Sequence, residues 1–214
     1  SLRQLGREPQ SIEAIVLTHL HGDHTVGLPF FIIDAMFNQP RKRPLHILGP
    51  KGMKQRLDQL IRVTYGDVAD REMDFELELT ELAPGETHAI AGVEVTGYAA
   101  DHIDPPSRPL CLRMRAPDGE QLAFSGDTQI CEGLREAAQG VDLLVAECSA
   151  MRHPCGRHST WDDWKVELTT IGAQHVLLTH LNAEVRAASE RLVTEAPEGV
   201  KLSFADDGLR VPVK

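Results

Sequence analysis

The sequence predicts an α/β fold, and three observations predict it. Short apolar, β-rich runs alternate with segments whose apolar residues recur at helical spacing. The middle of the chain breaks that alternation, because its runs are separated by tight-turn residues, as in hairpins. The bulk composition supports one sizeable core: 214 residues, 42% apolar and 25% charged. Residues 1–214 therefore read as a single domain.

Taken in order, residues 12–17 (IEAIVL) are the first expected strand, mostly apolar. Residues 24–37 are apolar at most positions and read as a buried helix. Residues 38–44 form a loop carrying Arg41, Lys42 and Arg43 between prolines, expected to be solvated rather than phosphate-binding. Residues 45–48 are a strand. Pro50 then opens a helix to about residue 65, since proline suits a first helical turn, with Leu57, Leu60 and Ile61 on one face. Strands follow over 75–82 and 89–99, with turns at Pro84-Gly85 and Ala91-Gly92. Residues 110–115 and 121–124 pair as a hairpin around Pro117-Asp118-Gly119. Residues 141–146 and 175–179 are short buried strands, each preceded by a helix-like segment. Trp161 and Trp164 stand one helical turn apart and read as core anchors.

The first strand delivers the densest chemistry in the chain. Thr18-His19-Leu20-His21-Gly22-Asp23-His24 puts three histidines and one aspartate on one short turn. Imidazole nitrogen and carboxylate oxygen are ligands for zinc and similar first-row metals. Four such groups so close together cannot all face one ion, so the spacing points to two. Three further candidates stand at expected strand ends: His102, Asp127 within Ser125-Gly126-Asp127-Thr128, and His180 after Val176-Leu177-Leu178-Thr179. Strand-end loops are where α/β folds gather functional groups.

Charge and cysteine usage exclude other classes. The net charge of −10 argues against a broad nucleic-acid face, which needs Lys and Arg. The cysteines (Cys111, Cys131, Cys148 and Cys155) form no C-x-x-C pair, and reduced thiols in a cytoplasm fit them best. No apolar run reaches the length of a membrane span. Ser1-Leu2-Arg3-Gln4 is not a signal peptide.

The order H-x-H-x-D-H, lone His, lone Asp, lone His resembles the metallo-β-lactamase superfamily from about residue 12 to the C-terminus. Ser125-Gly126-Asp127-Thr128, Arg157-His158-Ser159-Thr160 and Leu178-Thr179-His180 look most like its ribonuclease Z-like branch of phosphodiesterases. The resemblance implies an αββα sandwich with metals on one edge. It implies that His19, His21 and His102 hold one metal, that Asp23, His24 and His180 hold the other, and that Asp127 bridges them. His158 matches the branch's histidine that faces the substrate without being a primary ligand. Two departures stand out. Only 24 residues separate His102 from Asp127, where ribonuclease Z enzymes carry a long tRNA-clamping arm, which disfavours tRNA as substrate. Only 18 residues precede His19, where the superfamily has several strands, so the natural N-terminal strands are expected to be missing and the isolated chain to be less stable.

The implied chemistry is hydrolysis. Two divalent ions, zinc first, with manganese or iron accepted by the same ligands, share a water and lower its pKa toward about 7. The bridging hydroxide attacks a small phosphodiester, with Asp23 taking a proton and His158 assisting the oxyanion or leaving group. Lactone, thioester or sulfate ester hydrolysis uses the same site, and a regulatory protein with a metal-stabilised, idle site is the reading from another class. Glu147, after a buried strand, either orients a metal-bound histidine or caps a loop. His153 and Cys155 receive no role, and His46, His88 and His175 are expected to make structural hydrogen bonds. A homodimer is expected only because homodimers are common.

Overall fold

In the computed structural model, which describes residues 2–104, 106 and 108–213, helices and strands alternate through most of the chain. The chain divides into two compact units, Ser1–Leu82 and Ala83–Lys214. Each has its own sheet and its own apolar core.

The first unit is built on a three-stranded parallel sheet, order β1-β2-β3, with β1 at Ala14–Val16, β2 at Leu45–Pro50 and β3 at Leu77–Leu82. Parallel strands need crossovers, and helices supply them. The expected helix over 24–37 is interrupted. It comprises α1 (Gly22–Thr25), α2 (Gly27–Ile33) and a π turn over Asp34–Asn38. Pro29 gives the reason, since it has no N–H to donate back to Thr25. Pro50 is likewise not a helix opener. It ends β2, and α3 (Met53–Tyr65) begins only after Gly52 turns the chain at φ +92°. Leu57 and Ile61 of α3 are buried with Met53, Ile32, Leu45 and Ile47, while Leu60 is only half-buried.

The second unit holds a seven-stranded mixed sheet, order β10-β9-β8-β7-β6-β5-β4. Its strands are β4 (Thr87–Ile90), β5 (Val93–Ala99), β6 (Leu110–Arg115), β7 (Gln121–Phe124), β8 (Leu143–Glu147), β9 (His175–Thr179) and β10 (Lys201–Phe204). β4 to β7 pair antiparallel, as the hairpin-rich middle of the sequence requires, and β7 to β10 pair parallel. The run over 89–99 folds as two strands because Ala91 and Gly92 both take positive φ and close a hairpin. Helices α4 (Glu132–Ala138), α5 (Trp161–Glu167) and α6 (Ala183–Thr194) cross between the parallel strands. The sequence reading assigned neither α6 nor β10. Trp161 and Trp164 are fully buried among Leu134, Leu144, Val176 and Leu178.

The topology fixes where functional groups collect. β7, β8 and β9 are parallel, so their C-terminal ends share one edge. β5 runs the same way, because β5 and β7 are both antiparallel to β6. The loops after β5, β7, β8 and β9 carry His102, Asp127, His158 and His180.

Gly133 sets how closely α4 approaches the end of β5. A Cβ there would lie 2.0 Å from the Ala99 carbonyl oxygen, a backbone atom that cannot swing aside. Gly133→Ala is therefore expected to destabilise the protein by about 2–4 kcal/mol. Gly140→Ala, at φ +75° in open space, should cost only about 1 kcal/mol of backbone strain. Urea denaturation midpoints of the two variants check the difference, and equal midpoints would remove the close approach as a constraint.

Candidate metal centre

The first unit presents the H-x-H-x-D-H turn at the end of β1. The Leu17 N–H donates to the Leu48 carbonyl at 2.8 Å, which anchors the entry to the turn on β2. His19 is buried, with Nδ1 3.1 Å from the Thr18 hydroxyl, which makes Nε2 its candidate ligand atom. His21 precedes α1 and its carbonyl accepts from the Thr25 hydroxyl at 2.8 Å. The His19 ring meets His21 edge-on at 4.9 Å and His24 at 4.0 Å, and His24 Nε2 lies 3.4 Å from Asp23 Oδ2. The four expected ligands of this motif thus share one small surface.

In the second unit, His102, Asp127, His158 and His180 meet at the common strand edge. Asp127 is buried at their centre. Its Oδ2 is 4.0 Å from His102 Nε2, 3.6 Å from His180 Nε2 and 4.0 Å from His158 Nδ1. His102 Nδ1 lies 2.9 Å from the Arg157 carbonyl, which fixes its tautomer and leaves Nε2 to a metal. His180 holds a left-handed backbone at φ +53°, strained for a non-glycine residue, just before Asn182 caps α6 by accepting from the Val185 N–H. The donor set, imidazole nitrogen with carboxylate oxygen, fits a divalent transition metal. One atom each of His102, Asp127 and His158 lies within 4.8 Å of the others, as does one each of Glu147, His158 and His180.

His158 differs from the other two histidines in the atom it turns inward. His102 and His180 offer Nε2 to Asp127, whereas His158 offers Nδ1. That nitrogen is engaged by Glu147, at 3.1 Å from Oε1 and 3.0 Å from Oε2. Joining the metal beside Asp127 through Nδ1 would break this contact. We therefore keep His158 out of the ligand set, although its distances alone would admit it.

Of the two roles that the sequence left open, Glu147 takes the loop-capping one at Thr128, while the histidine it contacts is His158, outside the candidate ligand set. Its carboxylate accepts from His158 and from the Thr128 backbone N–H, next to Asp127. Its own carbonyl accepts from Ser159 Oγ and Trp164 Nε1, both at 2.8 Å. Burial pushes its carboxyl up to about 9; the Thr128 hydrogen bond opposes this and the Asp127 charge adds to it. Sequence reasoning missed Thr128. It is fully buried, and its hydroxyl accepts from the Asp101 N–H at 2.9 Å, so it ties the His102 loop to the Asp127 loop. The signal was present: a short hydroxyl residue directly after Asp127 in a loop turned by Gly126 at φ +57°.

Other expectations fall either way. His46 pairs with Glu78 at 2.9 Å and His175 with Ser203 at 2.9 Å, as structural histidines, while His88 stands exposed on β4. The Arg41-Lys42-Arg43 loop is not simply solvated. Arg41 is buried and donates to the carbonyls of Arg43 and Pro44, because a guanidinium can satisfy several turn carbonyls at once. Among the described residues, no helix is long and apolar enough to cross a membrane.

Two outcomes are expected from these contacts. Thr128→Val should keep the fold, checked by circular dichroism, yet lower metal affinity about 10–100-fold in competition with a chromogenic chelator. Unchanged affinity would show that the Asp101–Thr128 bond does not position ligands. Cys131 is half-buried, and hydrogen bonds from Cys111, opposed by burial, and from Thr128 hold its thiol down at about 5. Its thiolate is therefore favoured at lower pH than that of an ordinary cysteine. Its alkylation by iodoacetamide should stay flat between pH 6 and 8, where an ordinary thiol gains about tenfold per unit. Peptide mass spectrometry reads the rate, and a steep rise at Cys131 would contradict the assignment.

Comparison with known proteins places this arrangement. The model of the beta-lactamase superfamily domain matches residues 2–181. A ribonuclease Z of Exiguobacterium sibiricum is 27% identical over 92% of this chain and 80% of its own length. The crystal structure of the human short-form tRNase Z superposes with a TM-score of 0.74 at 17% identity, covering 100% of this chain and 83% of that one. That of a diphosphatase from the PhnP family gives 0.71 at 21% identity, covering 94% and 71%. These two likenesses give the metallo-β-lactamase fold. With the family match over most of its length, the chain belongs to the metallo-β-lactamase superfamily, on its ribonuclease Z-like side, and is a metal-dependent hydrolase.

Proposed function

We propose that the protein is a dinuclear phosphodiesterase acting on a small phosphodiester. In this reading His19, His21 and His102 hold one ion, Asp23, His24 and His180 hold the other, and Asp127 bridges them. Zinc suits these donors, and manganese or iron can replace it. The observation that carries the reading is the set of three Nδ1 contacts. Thr18 and the Arg157 carbonyl hold His19 and His102 with Nε2 as ligand atom, while Glu147 holds His158 apart from that role.

When bound, two divalent ions supply an activated water and polarise the phosphoryl oxygen. The residues do the rest. Asp23, at the rim of the first cluster, takes the proton released as water adds to phosphorus. The bond from phosphorus to the leaving oxygen breaks, and His158 returns a proton to that oxygen. Glu147 orients the ring through its contact with Nδ1.

A small ester is favoured over tRNA for two reasons. The stretch between His102 and Asp127 is largely taken up by the β6–β7 hairpin, which leaves no length for a clamping arm. The net charge of −10 also opposes a long polyanion. The four thiols suit a reducing cytoplasm.

Hydrolysis of bis(p-nitrophenyl) phosphate, a lactone and a thioester by the zinc-loaded chain tests the reading. Phosphodiester turnover should vanish with a chelator and return with zinc. It should fall at least about 10³-fold in Asp127→Ala and about 10²–10⁴-fold in His158→Ala. Cleavage of only the carbonyl esters would replace the phosphodiesterase assignment. Bound metal without turnover of any ester would leave an idle site.

A further inference from the structure

Two thiols that the mechanism does not use meet beneath the start of α4. Cys111 lies on β6 and is fully buried, and Cys131, half-buried, is the residue just before α4. The strand fixes the face that Cys111 occupies. Residues two apart on a strand share a face, and Arg113 donates from β6 to the Ala137 carbonyl at 2.8 Å, near the end of α4. Cys111, two residues earlier, stands under the beginning of the same helix, where its thiol and that of Cys131 hydrogen-bond to each other. Gly133 lets this end of α4 approach the Ala99 carbonyl, and Cys131 Sγ lies 3.6 Å from the same oxygen. We propose that Cys111 and Cys131 are a peroxide-oxidisable pair whose disulfide loosens the candidate metal centre.

The two sulfurs are unequal in the way the reaction needs. The bond from Cys111 is the largest influence that holds the Cys131 thiol down at about 5, and the same bond, with burial, pushes the Cys111 thiol up. Cys131 is also the one of the two that a small oxidant reaches, since Cys111 has no exposed surface. The Cys131 sulfur attacks one oxygen of hydrogen peroxide: the S–O bond forms, the O–O bond breaks and hydroxide leaves. The Cys111 sulfur then attacks the sulfur of the resulting sulfenic acid. The S–S bond forms, the S–O bond breaks, and the Cys111 proton leaves with that oxygen as water. Together the two thiols lose two electrons and two protons, and the peroxide is reduced to two molecules of water. Cys148 does not compete, because it is fully buried and burial pushes its thiol up to about 12.

The reduced pair supports the site through Thr128. The Thr128 hydroxyl lies 3.5 Å from Cys131 Sγ and accepts at 2.9 Å from the N–H of Asp101, the neighbour of His102. The Thr128 N–H, next to Asp127, donates to Glu147. A disulfide draws the Cys131 sulfur onto Cys111 and removes its contact with this hydroxyl. Thr128 then loses one of the partners that fix its side chain, and the Asp101 bond that steadies the His102 loop weakens with it. The disulfide itself is independent of the phosphodiesterase reading, while its effect on metal rests on the ligand set proposed there.

Treatment of the zinc-loaded full chain with hydrogen peroxide, followed by digestion without reductant and peptide mass spectrometry, tests the pair. A Cys111–Cys131 cross-link is expected, reversed by dithiothreitol. Absence of a cross-link, or one to Cys148 or Cys155 in its place, would overturn the proposal. Zinc affinity, read in competition with a chromogenic chelator, should fall about tenfold on oxidation and recover on reduction. Cys131→Ser, its fold checked by circular dichroism, should keep its affinity through the same treatment, and an equal fall in this variant would remove the pair as the cause. A cross-link that leaves the affinity unchanged would overturn the link to the metal centre. A reduced chain that binds no zinc would instead overturn the ligand set, and the cross-link, which is read without metal, would stand apart from that failure.

Discussion

The buried carboxylate of Glu147 is the constraint on which the second half of the site depends. It sits at the end of β8 and is 1% exposed. Removing an acid from water is costly unless hydrogen bonds compensate, so its partners are held as firmly as it is. Those partners are the Thr128 N–H, beside Asp127, and His158 Nδ1. Its backbone is pinned in turn, with the N–H donating to Ser125 Oγ at 3.0 Å and the carbonyl accepting from Ser159 and Trp164. One residue therefore ties two functional loops to the apolar core through Trp164. The Ser125-Gly126-Asp127-Thr128 turn and the His158 loop have few other reasons to adopt a fixed geometry, being short and irregular.

This arrangement converts core packing into site geometry. Trp164 is fully buried, and its indole N–H reaches the same carbonyl that Ser159 does. Helix α5 begins two residues after Ser159, started by the reciprocal hydrogen bonds of Thr160 and Asp163. A shift of α5 would move Trp164, the Glu147 carbonyl and the His158 loop together. The Thr128 hydroxyl extends the same linkage to Asp101 and so to His102. Three candidate functional residues, His102, Asp127 and His158, on loops after three different strands, thus answer to one network rather than to three separate loops.

The candidate ligand residues were legible in the sequence because they are chemistry-bearing types in a fixed order, and chain order survives folding. Strand ends were legible as well: apolar runs stop where the backbone leaves the sheet, which is how His102, Asp127 and His180 came to notice. What periodicity does not carry is the edge to which each end belongs. That depends on strand direction, and β5 reaches the common edge only because the antiparallel β6 lies between it and β7. Prolines misled for a local reason. Pro50 resembles a helix opener, yet the parallel register with β3 runs on to Leu82 and keeps it in the strand. Arg41 misled for the opposite reason. A basic run reads as solvated until the fold brings several turn carbonyls within reach of one guanidinium.

The roles of the three histidines of the second cluster separate on a distinction finer than distance. All three have a ring nitrogen within 4.0 Å of Asp127 Oδ2, so proximity treats them alike. The two nitrogens of an imidazole are not equivalent, however, because the partner of one decides what the other can do. His102 gives Nδ1 to a backbone carbonyl, a neutral acceptor that fixes the tautomer and keeps the ring a neutral donor of electrons. His158 places Nδ1 against the buried Glu147 side chain, a contact that sets its ring apart from that of His102. It also points that nitrogen, rather than Nε2, toward Asp127. A metal ligand must present a lone pair, and a proton donor must not. The same side chain, three residues upstream of a buried tryptophan or at the end of a strand, is suited to one task or the other by the atom its neighbour takes.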